Sequence, residues 1–231
     1  MPTGPYGLPQ GIDIDGQRHQ AVPRKVGAYD TEGFSPDAVI GGSGNGAPLV
    51  LFQNASQFTN TGLTLTKTYG RDVNITSRTG GMAKGERLYT YGITAKILFG
   101  ATSAEGSTAM ANSAWLNAGG NQSTFAQFLQ YWMLSDIGFN LGSDEFIRVQ
   151  ARDVPLWAPK PVATTVAAQT VFDLSSDGMY DLTIAGDPYV LDQQEDFRIN
   201  VNTAATPTTA PIQEWYLTVR LEGIRLKSLR Q

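Results

Sequence analysis

Three observations predict an all-β fold, a sandwich or barrel of short antiparallel strands with one inserted helix. Apolar and polar residues alternate with period two over long stretches in the middle and at the end of the chain, the pattern of strands with one buried face. Glycine- and proline-bearing turns separate about eight or nine such stretches. A helical period appears once. At 231 residues the chain suits one large β domain.

Residues 1–46 read as an extended arm. Pro2, Pro5, Pro9, Pro23 and Pro36 run through them with glycines between, and the Gly-rich residues 41–46 close the segment. Residues 47–231 then form a single domain. Residues 49–53 hold a continuous apolar run, Leu49 to Phe52, closed by Gln53. Leu63, Leu65 and Lys67 alternate with Thr64, Thr66 and Thr68, and Val73 and Ile75 follow a turn at Gly70. In the clearest middle strand, Tyr89, Tyr91, Ile93, Ala95, Ile97 and Phe99 line one face. Residues 100–122 are a small, polar excursion. Phe125, Phe128, Leu129 and Trp132 then stand at helical spacing, Thr124 and Gln127 have the form of a capping box, and Gly138 suits a C-terminal stop. This spacing predicts a helix over about 125–137, its aromatic stripe serving as core.

Strand patterns resume at 146–150, at the proline-bounded connector 154–161, at 166–174 and 180–184 across a Ser-Ser-Asp-Gly turn, and at 189–191. Phe197, Ile199 and Val201 form the next apolar face. The final stretch EWYLTVRLEGIRLK sets Trp215, Leu217, Val219 and Leu221 on one side, and at Gly223 the apolar set shifts phase to Ile224 and Leu226. A phase change at a glycine predicts a β-bulge. The last two strands read as an antiparallel hairpin with a long loop.

Composition narrows the function. Charged residues are 16% of the chain, below the roughly 25% usual in globular proteins, so the surface relies on Ser, Thr, Asn and Gln and suits a protein that assembles. A net charge of −4 leaves no global footprint for nucleic acid. Without cysteine there are neither disulfides nor thiolate metal sites. The N-terminal residues lack the pattern of a signal peptide, and no stretch approaches the ~20 apolar residues of a membrane helix.

No residue set announces a chemistry. His19, the single histidine, falls in the Pro/Gly-rich arm, a poor place to hold a catalytic base. Residues 42–47 fit the spacing G-x-G-x-x-A, but a strand follows where the dinucleotide fingerprint needs a helix. Asp13-Ile14-Asp15-Gly16 resembles the start of a calcium loop but lacks the later ligands, so it reads as a turn. Asp192, Glu195 and Asp196 are the candidates for a carboxylate pair, against the simpler reading of a solvated loop. Arg220, Arg225, Lys227 and Arg230 form a local basic group, with Arg225 and Lys227 on one face; a solvated strand face is the simpler reading. Asn54, Asn74 and Asn121 open N-x-[ST] triplets of the kind this composition produces by chance. No catalytic, cofactor-binding or metal-ligating residue is assigned.

The layout of a Pro/Gly arm, short strands, one inserted helix and a terminal pair of the form FRINV…WYLTVRLEGIRL resembles the jelly-roll coat proteins of tailless icosahedral bacteriophages. The resemblance covers most of residues 47–227. It implies a jelly-roll sandwich of two four-stranded sheets, multimers tiling a shell, and an arm that ties neighbours together. The expected function is thus that of a structural, self-assembling coat protein of the virion, assembled in the host cytoplasm. Its partners would be copies of itself and other virion proteins, with no sequence-specific nucleic acid, no membrane span, no cofactor and no enzymatic activity. The alternative is a carbohydrate- or receptor-binding sandwich of a phage fibre, using Trp115 or Trp157 as a stacking platform. A third reading is a glycoside-acting enzyme using Asp192 and Glu195.

Overall fold

The computed structural model describes residues 11–34, 49–53, 67–70, 72–75, 81–99, 132–157, 178–193, 195–203 and 215–229. Its twelve strands form two sheets packed as an antiparallel β-sandwich, with the main core between them.

The larger sheet is built on two 14-residue strands, β5 (Glu86–Phe99) and β12 (Trp215–Ser228), paired along nearly their full length. On the far side of β12, β3 (Ala28–Phe34) covers its first half and β2 (Gln17–Arg24) its last residues, with β1 (Gly11–Ile14) outside β2. The far side of β5 takes three short strands in succession: β10 (Tyr189–Leu191), β9 (Tyr180–Asp181) and β8 (Leu156–Trp157). Only β8 runs parallel to its neighbour. The smaller sheet has the order β4 (Leu49–Leu51), β11 (Phe197–Thr203), β6 (Ser135–Leu141), β7 (Asp144–Gln150).

The expected bulge is present. The register of β5 against β12 shifts between Glu222 and Gly223: Glu222 faces Gly92 and Gly223 faces Thr90, so Tyr91 is the extra residue. A Cβ on Gly223 would lie 2.1 Å from the Tyr89 carbonyl oxygen, so only glycine fits there. Before the bulge Leu217, Val219 and Leu221 enter the main core. Beyond it Leu226 and Ile224 join a second cluster with Ile12, Ala21, Tyr89 and Tyr91. The bulge also divides the single face expected for β5. Ile93, Ala95 and Ile97 face the main core, whereas Tyr89 and Tyr91 pack on the second cluster.

Four expectations are corrected. Residues 11–34 are not an arm but three strands of the larger sheet. Asp15 and Gly16 have φ of 51° and 77° between paired Ile14 and Gln17, a two-residue hairpin that suits Asp-Gly. Pro23 lies in the half of β2 that β1 does not cover, a place where a missing N–H is tolerated. The terminal hairpin is also absent. β11 pairs with β4 and β6, while β12 lies in the opposite sheet. Period two shows that a strand is half-buried but not which sheet it joins, and sheets stack only ~10 Å apart. The expected helix, 125–137, overlaps the described residues only at its end. Trp132 and Met133 are helical, but Ser135 begins β6 and Gly138 sits inside that strand. Finally, among the described residues the two sheets are unequal, eight strands against four, where four and four were expected. Residues 35–48, where arm and domain were expected to meet, lie outside the described residues, as do 100–122 and 166–174.

Candidate functional site

The sequence candidates resolve mostly into structural roles. His19 lies on β2 opposite Ile12, half-buried. Asp13 to Gly16 form the β1–β2 turn, tied down from outside: Lys84 pairs with Asp15 at 2.6 Å, and Gln193 donates to the Asp13 carbonyl at 2.7 Å.

The acidic loop is spoken for. Arg87 grips both carboxylate oxygens of Asp192, at 3.0 and 2.7 Å. The Asp192 N–H donates to Glu195 at 3.0 Å, and the Gln193 N–H donates to Asp192 at 2.7 Å. This is a loop clamp, in which Asp192 serves an arginine and Glu195 caps a backbone N–H. Among the described residues no group of three or more His, Asp or Glu side chains is placed to hold a metal ion.

The C-terminal basic group divides. Arg220 is exposed and pairs with Glu222 at 3.2 Å. Arg225 and Lys227 share a face, as the spacing requires, and both reach Glu86, at 3.6 and 3.4 Å. Arg225, however, is buried, which corrects the reading of a solvated face. Its guanidinium donates to the carbonyls of Asn74 and Gly27, at 3.1 and 3.2 Å. Burial pulls its pKa below the ordinary arginine value, and the nearby Glu86 opposes that shift. Asn74 is buried as well; it accepts from the Tyr29 N–H and donates to Gly27. Asn54, Asn121, Arg230, Trp115 and residues 42–47 lie outside the described residues, as does the side chain of Trp157.

The most unusual chemistry lies in the core and was not foreseen. On β3, Asp30 faces Val219 and Glu32 faces Leu217 across the ladder with β12, at positions where β12 presents its core side. Both carboxylates therefore point into the sandwich. Lys67 meets them there, its Nζ 2.8 Å from Asp30 Oδ1 and 2.5 Å from Glu32 Oε1, with all three side chains fully buried. The other Asp30 oxygen accepts a 2.6 Å hydrogen bond from the Phe52 N–H. Burial raises the Asp30 pKa above the usual carboxylate range, and Lys67 opposes the rise. Residues 67–70 and 72–75 are strapped along β3 by further bonds. Tyr29 Oη donates to the Gly70 carbonyl at 2.7 Å, and the Asn74 N–H donates to the Tyr29 carbonyl at 3.2 Å.

A second feature lies at the rim. β7 pairs only with β6 among the described strands and is exposed along most of its length. Phe146 on β7 is 52% exposed. It touches Tyr189 of β10 edge-on, with ring centroids 5.7 Å apart. The outer strand of one sheet thus meets a short outer strand of the other at an aromatic pair, with exposed Val190 beside it.

No protein-family model matches the chain, and comparison with curated proteins and with solved structures returned no match.

Proposed function

We propose that the chain is a structural, self-assembling protein, a coat protein of the kind that builds the shells of tailless icosahedral bacteriophages, with the sandwich following a jelly-roll plan. The observation that carries this reading is the rim at β7. An open strand edge offers a row of backbone donors and acceptors to another chain, and proteins that must stay apart cover or charge such edges. Among the described residues the outer side of β7 has no partner strand, and it is joined to an exposed aromatic, Phe146, and to Val190 on the neighbouring sheet. Arg148 grips Glu145 at 2.9 and 3.0 Å on the surface of the strand, which pairs two of the charges a second copy would meet. A charge-poor composition supports the same reading.

Interfaces repeated many times in a closed shell need only modest area each, at about 25 cal/mol per Å² of apolar surface buried. The test is the solution mass of the purified protein by light scattering, with electron microscopy of the same sample. Trimers, hexamers or shell fragments support the reading. A clean monomer at high concentration removes it.

A further inference from the structure

We propose that Lys67 and Asp30 become joined by an intramolecular isopeptide bond, with Glu32 carrying the proton, so that the chain staples its own core. This inference is independent of the assembly reading.

The reaction is a condensation between an ammonium and a carboxylate that are already in contact. Lys67 Nζ lies 2.8 Å from Asp30 Oδ1. Such placement replaces a bimolecular encounter with an effective molarity of roughly 10⁵–10⁸ M. A lysine is nucleophilic only after it loses a proton, and the Glu32 carboxylate, 2.5 Å from the same Nζ, is placed to take it. Attack at Asp30 Cγ moves negative charge onto the carboxyl oxygens. Oδ2 is already held by the Phe52 N–H at 2.6 Å, a preorganised donor for that charge. Phe52 itself is fully buried and sits at φ 67°, a costly conformation for a bulky residue and one that tends to persist at functional sites. Burial favours a protonated Asp30, the better electrophile, and that proton is one of the two that leave the Lys67 ammonium.

Atoms and protons balance without another reagent. The Lys67 ammonium begins with three hydrogens. One stays on the amide nitrogen. Two pass through Glu32 to the departing Asp30 oxygen, which leaves as water. The N–Cγ bond forms, a C–O bond breaks, nothing is oxidised or reduced, and Glu32 returns to its starting state. Bulk water opposes such a condensation by mass action. A site whose three side chains are fully buried relieves that opposition and removes a desolvated ion pair.

The decisive measurement is the mass of the full-length folded protein, incubated and then denatured for mass spectrometry, followed by trypsin digestion. The expected result is a chain lighter than its sequence by one water. No Lys or Arg lies between Val26 and Lys67, and Arg71 follows. A bonded Lys67 therefore resists trypsin, and the digest should contain residues 26–71 as one peptide lacking one water. Glu32→Gln, which keeps both partners but removes the base, should retain its full sequence mass. A folded wild-type chain at full sequence mass, cleaved after Lys67, overturns the proposal. So does loss of one water with Lys67 still cleaved, which would mark a succinimide at Asp30. Bond formation in Glu32→Gln as fast as in wild type overturns the role of Glu32.

Discussion

Removing residues 1–34 should unfold this protein. As a detachable arm the segment would be dispensable for folding, but among the described residues β3 and β2 supply the far side of β12, with β1 outside β2. The deletion strips seven cross-strand residue pairs with β3 and four with β2. An antiparallel ladder carries about one backbone hydrogen bond per pair, worth about 1 kcal/mol net each, so on the order of 10 kcal/mol is lost from the ladder alone. Buried Ile12 and Ala28 go as well, and Lys67 stays behind without either carboxylate. The total matches or exceeds the roughly 5–15 kcal/mol that holds a domain together. Circular dichroism and urea denaturation of the truncated chain provide the assay. A soluble truncated protein with a strand spectrum and a cooperative transition near that of wild type would refute the reasoning and restore the arm.

Three further outcomes follow from the same geometry. Gly223→Ala should cost about 3 kcal/mol or more in urea denaturation, because its Cβ would collide with the Tyr89 carbonyl at the bulge; an unchanged midpoint would mean the bulge is not rigid. Phe146→Ser, at a half-exposed position paired edge-on with Tyr189, should cost about 1 kcal/mol of stability and lower the mass seen by light scattering; equal masses would exclude the β7 rim as the contact. Lys67→Met should cost about 3–5 kcal/mol at neutral pH by leaving two buried carboxylates without their cation. The pH response of that variant has a definite sign. Burial raises the folded-state pKa of Asp30, so between the unfolded and folded values the native state binds the extra proton. Stability should therefore rise as pH falls through the raised folded-state value toward the ordinary carboxylate range, and a variant equally stable or weaker at the lower pH would contradict the assignment.

Much of the fold was legible wherever a strand carries apolar residues on one face. β5, β11 and β12 follow from alternation alone, and the bulge follows from the shift at Gly223. The errors have physical causes. Alternation marks burial without naming the partner, so β11 and β12 read as neighbours although they face each other across the core. In β6 the run from Ser135 to Leu141 directly follows a helical stripe, and a local period cannot show where helix gives way to strand. The N-terminal strands were hidden by prolines and glycines, although Asp15-Gly16 between Ile14 and Gln17 has the form of a tight hairpin turn.

The same limit explains why the core chemistry stayed out of view. In Ala28–Phe34 the core-facing residues after Ala28 are Asp30 and Glu32, so the strand shows charge where the binary pattern expects apolar residues. Read alone it resembles a solvated loop. Only the ladder against Val219 and Leu217, together with a lysine from 35 residues beyond Glu32, turns two apparent surface acids into a buried site. Burying three ionisable groups costs stability unless each is compensated. The compensation here comes from Lys67 between the acids and the Phe52 N–H on Asp30. A hydrophobic triad of equal volume would have filled the same space at less expense. Retaining charge there is what a chemical role for the site requires, and joining Lys67 to Asp30 would remove two of the three buried charges permanently.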